Sequence, residues 1–377
     1  MLLAHVLGKA GIDTVVLEHR SRAQVLSRIR AGVLEPSAVS FLRSVGMSDR
    51  MDRMGRPRNG TAIAWQDRPA TMIDVKKWTG HDMMAYGQTL LTEDLYAAHD
   101  ASGAPLWTGV SDVRPVDVAT DHPFVTFHHD GTDYRLECRV IAGCDGARGV
   151  CTGALSPKVR RHYERVYPFG WLGIMVERPP IDDFTYIYHE DGFALAAQRG
   201  PNLSRYYVQS PLSEGVDSWS DTRFWETFLR RAPDDIARQV QTGPSIEKSL
   251  APLRSQVTEP MRYGNLFLAG DAAHLVPPTG AKGLNLAISD VRILSEALIA
   301  RLREVSTALT ETYSQRALKR VWAAENLSWR LTKLLHVFPD ETPFEMKMRI
   351  SDYDLLLEVP EIQRALAYEY AGLPFDA

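Results

Sequence analysis

The first apolar positions, Leu2, Leu3, Val6 and Leu7, recur at helical spacing and stop at Gly11, a residue suited to closing a helix. Residues 14–18, Thr-Val-Val-Leu-Glu, then form an unbroken β-branched apolar run closed by an acid, which predicts a short strand buried on both faces. Helix, glycine, strand and acid make the second half of a βαβ dinucleotide-binding unit, in which an acid placed like Glu18 bonds a ribose hydroxyl. The first half of such a unit, a strand and a G-x-G-x-x-G loop, would lie before Met1. Taken alone, Glu18 is equally an ordinary exposed acid at a strand end.

Residues 36–45 predict a helix that starts at Pro36 and ends before Gly46. Two alternating runs, 125–128 and 134–137, flank Asp130-Gly131, a hairpin signal. His128 and His129 are adjacent, so on a strand they face opposite sides and make a poor metal pair. From about 163 to 207 aromatic, alternating segments predict a second, mostly antiparallel sheet. Residues 266–271 read as another buried strand, followed by a glycine-bearing loop, a long helix from about Gly283, and helical patterns to the end. The chain is therefore α/β, α+β overall: a Rossmann-like nucleotide-binding domain, a mixed or antiparallel sheet domain, and a C-terminal helical region.

Composition narrows the classes. The 377 residues, 45% hydrophobic and 24% charged, suffice for two or three domains with a sizeable core. A formal charge of −4 offers no basic excess for nucleic acid. No apolar run reaches the roughly 18–20 residues of a membrane span, and the apolar start lacks the basic residues of a secretion signal. Cys138, Cys144 and Cys151 are odd in number and not spaced for zinc, which fits reduced thiols and a cytoplasmic location.

The most informative stretch is residues 270–285, Gly-Asp-Ala-Ala-His-Leu-Val-Pro-Pro-Thr-Gly-Ala-Lys-Gly-Leu-Asn. A buried strand ends in Gly-Asp, and a rigid loop enters a helix through glycines. Unpaired N–H groups and the positive dipole end of that helix suit an anion. This motif resembles the class A flavoprotein aromatic monooxygenases, and in particular their branch acting on 4-hydroxybenzoate. The similarity runs along nearly the whole chain, through residues 28–35 (RIRAGVLE), 86–89 (YGQT), 141–146 (IAGCDG), 164–173 (ERVYPFGWLG), 204–209 (SRYYVQ) and 370–374 (YAGLP).

The resemblance implies FAD as cofactor and divides the chain into a FAD-binding domain over 1–164, with parts of 58–90 serving the substrate side, a substrate-binding sheet over 165–261, and a closing Gly-Asp segment with a helical interface region over 262–377. It assigns FAD contacts to Glu18, Arg28, Ile29, Arg30, Ala31, Gly32, Val33, Gln88, Asp271, Leu284 and Asn285. It places NADPH, with NADH open, near Arg20, Arg30, Arg148 and Arg254. Arginine forks suit phosphate groups, and a helix start suits the anionic edge of a reduced flavin.

For the substrate, alternation puts Ala197 and Arg199 on one strand face and Arg205 and Tyr207 on one face of the next, so Arg199 and Tyr207 can share a carboxylate if the strands pair. The resemblance puts the benzoate carboxylate on Ala197, Gln198, Arg199 and Tyr207, and the phenol oxygen near Tyr186 and the carbonyl of Pro278. The implied reaction is hydroxylation of 4-hydroxybenzoate at the 3-position by NADPH and O₂ through a flavin C4a-hydroperoxide, with Tyr186 and Tyr370 relaying the phenol proton. A homodimer is also implied.

Four departures bear on this. The glycine loop falls outside the sequence, which is expected to weaken FAD binding and leave sheet edges unpaired. Ala197 replaces a family serine, removing one contact worth roughly 0.5–1.5 kcal/mol. Arg58 stands where the family relay ends on a histidine, and arginine cannot shuttle protons as histidine does. Residues 19–24, on the nicotinamide side, diverge, and Arg148 stands where the family often has histidine. Two other readings therefore stay open: a hydroxylase of another para-substituted benzoate such as 4-aminobenzoate, and a catalytically impaired paralogue that binds aromatic acids.

Overall fold

The computed structural model describes residues 1–27 and 32–372. The helix Leu2–Lys9 forms as its apolar spacing predicts, and Gly11 takes φ +70, which reverses the chain into the strand Val16–Glu18. That strand pairs in parallel with Leu106–Thr108. A second parallel pair joins Ile141–Gly143 to Leu266–Leu268, and Arg262–Tyr263 extends it. The two groups are not hydrogen-bonded to each other. Val16–Glu18 is half-buried rather than buried on both faces, a correction to the sequence reading. Among the described residues it has a strand neighbour on one side only.

The substrate-side sheet has eight strands in the order His274–Leu275, Ser245–Glu259, Arg161–Val176, Leu203–Pro211, Ala194–Gly200, Thr185–Tyr188, Gly60–Trp65, Arg68–Asp74. Every neighbouring pair is antiparallel except Thr185–Tyr188 with Gly60–Trp65. The outer hairpin thus comes from the first part of the chain, and it carries Thr61 and Trp65 into the same wall as Tyr186. The predicted hairpin at Asp130-Gly131 forms with both turn residues at positive φ, 48 and 77, as a type I′ turn needs. His128 and His129 there bond Asp133 and the carbonyl of Thr108 respectively.

Two apolar cores bracket the site. One joins the helix Leu2–Lys9 to Leu266–Leu268 and to the helices Gly283–Arg303 and Ala308–Leu335, through Leu7, Phe267, Leu294 and Tyr313. The other fills the concave side of the large sheet with Trp171, Tyr186, Phe193, Leu195, Tyr353 and Tyr370. No helix among the described residues is long and apolar enough to cross a membrane.

Candidate active site

The hairpin of Ala194–Gly200 and Leu203–Pro211 carries one end of the site. Its register sets Leu195 opposite Tyr207 and Ala197 opposite Arg205. The ladder slips between Gln198 and Gly200, so Arg199 sits at a bulge. Simple alternation therefore does not by itself aim Arg199; the bulge breaks the two-residue period there. Arg199 Nη2 reaches Tyr207 Oη at 3.4 Å, and Nη1 donates to the carbonyl of Gln198 at 3.0 Å. Arg205, the neighbouring arginine, is neutralised by Glu247 at 2.7 Å and donates to Ser249 at 2.6 Å. Arg199 has no carboxylate within ion-pair distance among the described residues. Burial pushes its pKa down, opposed by Tyr207. A half-buried guanidinium beside a phenol hydroxyl can accept a carboxylate as a partner. Gly173 makes room for it: a Cβ there would lie 2.6 Å from the Tyr207 ring. Ala197 is buried beside these groups and adds no polar atom.

The opposite end is a run of hydroxyls. Tyr186, fully buried opposite Leu195, donates to the carbonyl of Thr279. The carbonyl of Pro278, which the resemblance sets near the substrate's phenol oxygen, accepts from the N–H of Ala281 at 3.0 Å, closing the turn Pro278–Gly280. Tyr186 and Tyr370 belong to the same buried cluster, and Tyr370 accepts from Thr61 Oγ1 at 2.8 Å. Burial holds Tyr186 well above the ordinary tyrosine range. Burial also raises Tyr370, while Thr61 and Tyr186 pull it back. Arg58 is tied across the rim: Nη1 donates to the carbonyl of Asp182 at 3.3 Å and Nη2 to the side-chain oxygen of Gln198. Gln198 therefore holds Arg58.

Between the two ends lies an aromatic wall. Trp171 stacks on Phe193 with centroids 4.8 Å apart, and Phe193 on His336 at 4.3 Å. Trp171 Nε1 donates to His336 Nε2 at 2.7 Å, and His336 Nδ1 donates to the carbonyl of Thr332 at 3.0 Å. Both ring nitrogens are satisfied only in the neutral imidazole, and burial lowers its pKa from 6.5 to about 3. The sign follows from linkage. An unfolded chain takes up a proton as pH falls below 6.5, while the folded chain does not until about 3, so this stability is full above 6.5 and lost as pH drops towards 3. Thermal midpoints measured from pH 7 to 4.5 should fall by several degrees, and His336→Phe should flatten that slope whatever it does to the midpoint at pH 7.

The cofactor side is built around the start of the helix Gly283–Arg303. Its N-cap is Lys282, with no side-chain cap bond, so the first N–H groups, including those of Leu284 and Asn285, point outwards. The Asn285 side chain is fully engaged: Oδ1 accepts from Glu35 N at 2.8 Å, and Nδ2 donates to the carbonyls of Val33 at 2.8 Å and Ala281 at 2.9 Å. What Asn285 can offer a ligand is its backbone. Gly32 passes so close to Tyr86 that a Cβ would lie 1.9 Å from the Tyr86 carbonyl. Asp271 is exposed on the Gly-Asp turn, which Asp290 holds by accepting from Gly270 N at 2.8 Å and from His274 Nε2 at 2.7 Å. Gln88 opens the helix Gln88–Ser102 two residues beyond Tyr86. Glu18 accepts from the N–H of Arg20 at 2.8 Å. Arg28, Ile29, Arg30 and Ala31 lie outside the described residues.

Sequence reasoning missed several participants. Lys282, buried beneath the Tyr370 ring at 5.2 Å, pairs with buried Glu35 at 2.7 Å, and Arg320 joins them at 3.1 Å. Glu35 and Lys282 both lie in quoted strings, but nothing local told that they meet across 247 positions. Thr61 carried no sequence signal, and Thr279 stood unremarked inside the 270–285 stretch. Arg148 is exposed on the turn after Ile141–Gly143, and Arg254, also exposed, pairs with Glu164 at 3.0 Å. Among the described residues no hydrogen bond or ion pair joins these two to Arg20.

A family model described as an FAD binding domain matches residues 1–328. The p-hydroxybenzoate hydroxylase of Acinetobacter baylyi is 45% identical over 378 aligned positions, covering 100% of this chain and 93% of that protein. The chain belongs to the class A flavoprotein aromatic monooxygenases. Among more distant relatives, a 3-(3-hydroxy-phenyl)propionate/3-hydroxycinnamic acid hydroxylase of a Mycobacterium species is 22% identical over 89% of this chain and 58% of its own. In structure, p-nitrophenol 4-monooxygenase from Pseudomonas putida superposes with a TM-score of 0.82 at 19% identity, over 98% of this chain and 95% of that one. The flavoprotein is thus an FAD-dependent aromatic hydroxylase with the fold of its family. The close approach at Gly32, the uncapped start of Gly283–Arg303 and the anchored Gly-Asp turn fit the cofactor its family binds.

Proposed function

We propose that the chain hydroxylates 4-hydroxybenzoate at the 3-position, giving 3,4-dihydroxybenzoate, with NADPH and O₂. The observation that carries this is Arg199. It is a half-buried cation with no carboxylate partner among the described residues, beside the Tyr207 hydroxyl, near the aromatic cluster that also holds Tyr186 and Tyr370. An acid with a para hydroxyl matches both ends of such a pocket. The 45% identity to a p-hydroxybenzoate hydroxylase supports the same substrate.

In this reading Arg199 and Tyr207 bind the carboxylate, while Ala197 and Gln198 shape the pocket around it. Tyr186, with the Pro278–Gly280 turn, orients the phenol oxygen, and Tyr370 backs Tyr186. The aromatic wall keeps the reacting ring dry. FAD, when bound, supplies electron transfer from the nicotinamide and activation of O₂. Glu18, residues 28–33, Gln88, Asp271 and the backbone of Leu284 and Asn285 would hold it. Arg20, Arg30, Arg148 and Arg254 would meet NADPH or NADH. Residues 1–164, 165–261 and 262–377 then act as cofactor, substrate and closing parts of a cytoplasmic homodimer.

Ala197 and Arg58 favour a second substrate, 4-aminobenzoate. An amine needs no deprotonation before attack, so it would not miss a relay histidine. The deciding assay supplies FAD, NADPH and each acid, then quantifies hydroxylated product and H₂O₂. Near-stoichiometric 3,4-dihydroxybenzoate is expected from 4-hydroxybenzoate. Peroxide alone from that acid, with a hydroxylated product from 4-aminobenzoate, would overturn the first reading; no product from either would point to the impaired paralogue.

A further inference from the structure

The Gly-Asp turn and the start of the helix Gly283–Arg303 come from separate elements, and one buried carboxylate joins them. The turn leaves the strand Leu266–Leu268 at Gly270, whose φ of +62 bends the chain, and runs through Gly270–Ala272 to His274. Asp290, 1% exposed, lies on the helix six positions after Leu284, about 9 Å along its axis. Its Oδ2 accepts from Gly270 N at 2.8 Å and from His274 Nε2 at 2.7 Å, so it grips both ends of the turn. Its Oδ1 has no partner among the described residues. The seat is also close: a Cβ on Gly270 would lie 3.2 Å from the Ala287 Cβ, on the same helix. On its other side the turn is held by Thr152 Oγ1, which donates to the Ala272 carbonyl at 2.7 Å, and by Thr258 N, which donates to the Ala273 carbonyl at 2.8 Å.

We propose that Asp290 is a positioning residue for FAD: by tying the Gly-Asp turn to the helix, it presents Asp271 and the helix start to the cofactor as one preformed surface. This rests on the assignment of Asp271 and of the backbone of Leu284 and Asn285 to FAD given above. Two groups that hold one ligand contribute fully only when their separation is already set; otherwise binding must also order them. Asp290 is buried behind the turn, so it acts through the groups it holds and not by contact. Its bond to the backbone of Gly270 is the part that sets geometry, because it fixes the residue immediately before Asp271. Its bond to His274 pairs two groups that are each 1% exposed, and a carboxylate so buried is costly unless it is paired.

The test dilutes FAD-loaded protein and follows released flavin by its fluorescence, which gives the dissociation constant. Asp290→Ala removes both bonds and should raise that constant by about 10- to 100-fold, the range of a lost charge-assisted hydrogen bond. Asp290→Asn keeps an oxygen for Gly270 N but removes the charge opposite His274, and should stay within about fivefold of the unaltered protein. The two variants separate the roles, because both destroy the ion pair and only one destroys the tie to the turn. Equal weakening in both would make the pair a stabiliser of the fold alone and overturn the proposal, as would unchanged FAD affinity in Asp290→Ala. Far-ultraviolet dichroism shows which variants fold. Should Asp290→Ala not fold, Gly270→Ala carries the test: its methyl group presses the turn off Ala287 while leaving Asp290 and His274 in place. It should raise the constant about tenfold or more, and an unchanged constant overturns the proposal. Asp271→Ala isolates the assignment on which this rests. FAD held as tightly by Asp271→Ala as by the unaltered protein would refute that assignment, and the role of Asp290 with it. Weaker FAD in Asp271→Ala beside unchanged FAD in Asp290→Ala would refute the role of Asp290 alone.

Discussion

Arg199→Ala should raise the dissociation constant for 4-hydroxybenzoate by about 10- to 100-fold, the range set by losing charge-assisted hydrogen bonds of about 1.5–3 kcal/mol. The argument is electrostatic. Arg205, two residues before Tyr207, is already neutralised by Glu247 and cannot take over. Ala197 offers no hydroxyl, so the carboxylate would be left with Tyr207 alone. Arg199→Lys should fall between, because an ammonium keeps the charge but loses the planar fork. Flavin fluorescence or absorbance changes on titration give the constants directly. A loss of less than threefold in Arg199→Ala would place the carboxylate elsewhere.

Tyr186→Phe should leave substrate binding within a few-fold and uncouple the enzyme. Product formation is expected to drop by about 100-fold, the low end of what a positioned acid–base group contributes, while NADPH consumption continues and appears as H₂O₂. Removing this hydroxyl takes away the group that the proposed reading sets beside the phenol oxygen. A ring that stays protonated is a poor nucleophile. The ring of Tyr186 lies wholly within the aromatic core, so phenylalanine keeps the packing and the loss reports chemistry. Full coupling in Tyr186→Phe would rule out a part for this tyrosine in ionisation.

Local pattern explains how much of this could be read in advance. The helix Leu2–Lys9, the turn at Asp130-Gly131, the strand Leu266–Leu268 and the helix Gly283–Arg303 all depend on neighbours within a few positions. Period, glycine placement and β-branching specify such elements directly. The same holds for Arg199 and Tyr207, which lie on one hairpin eight positions apart. Even there the bulge at Arg199 was not legible, since it depends on how two strands slip against each other.

The sequence by itself determined the alternating sheet, the glycine-led helix start and the pairing of an arginine with a tyrosine, because each arises from contacts close along the chain. Only the tertiary structure decided which atoms close the site. It gave the Tyr186 hydroxyl to Thr279, fastened Gln198 to Arg58, used up the side chain of Asn285, and set Thr61 against Tyr370 and Glu35 against Lys282. Those partners lie 93 to 309 positions apart, and which of many buried hydroxyls and charges meet depends on how whole sheets and helices stack. That stacking minimises buried, unpaired polar groups over the entire core at once, a condition no local pattern expresses.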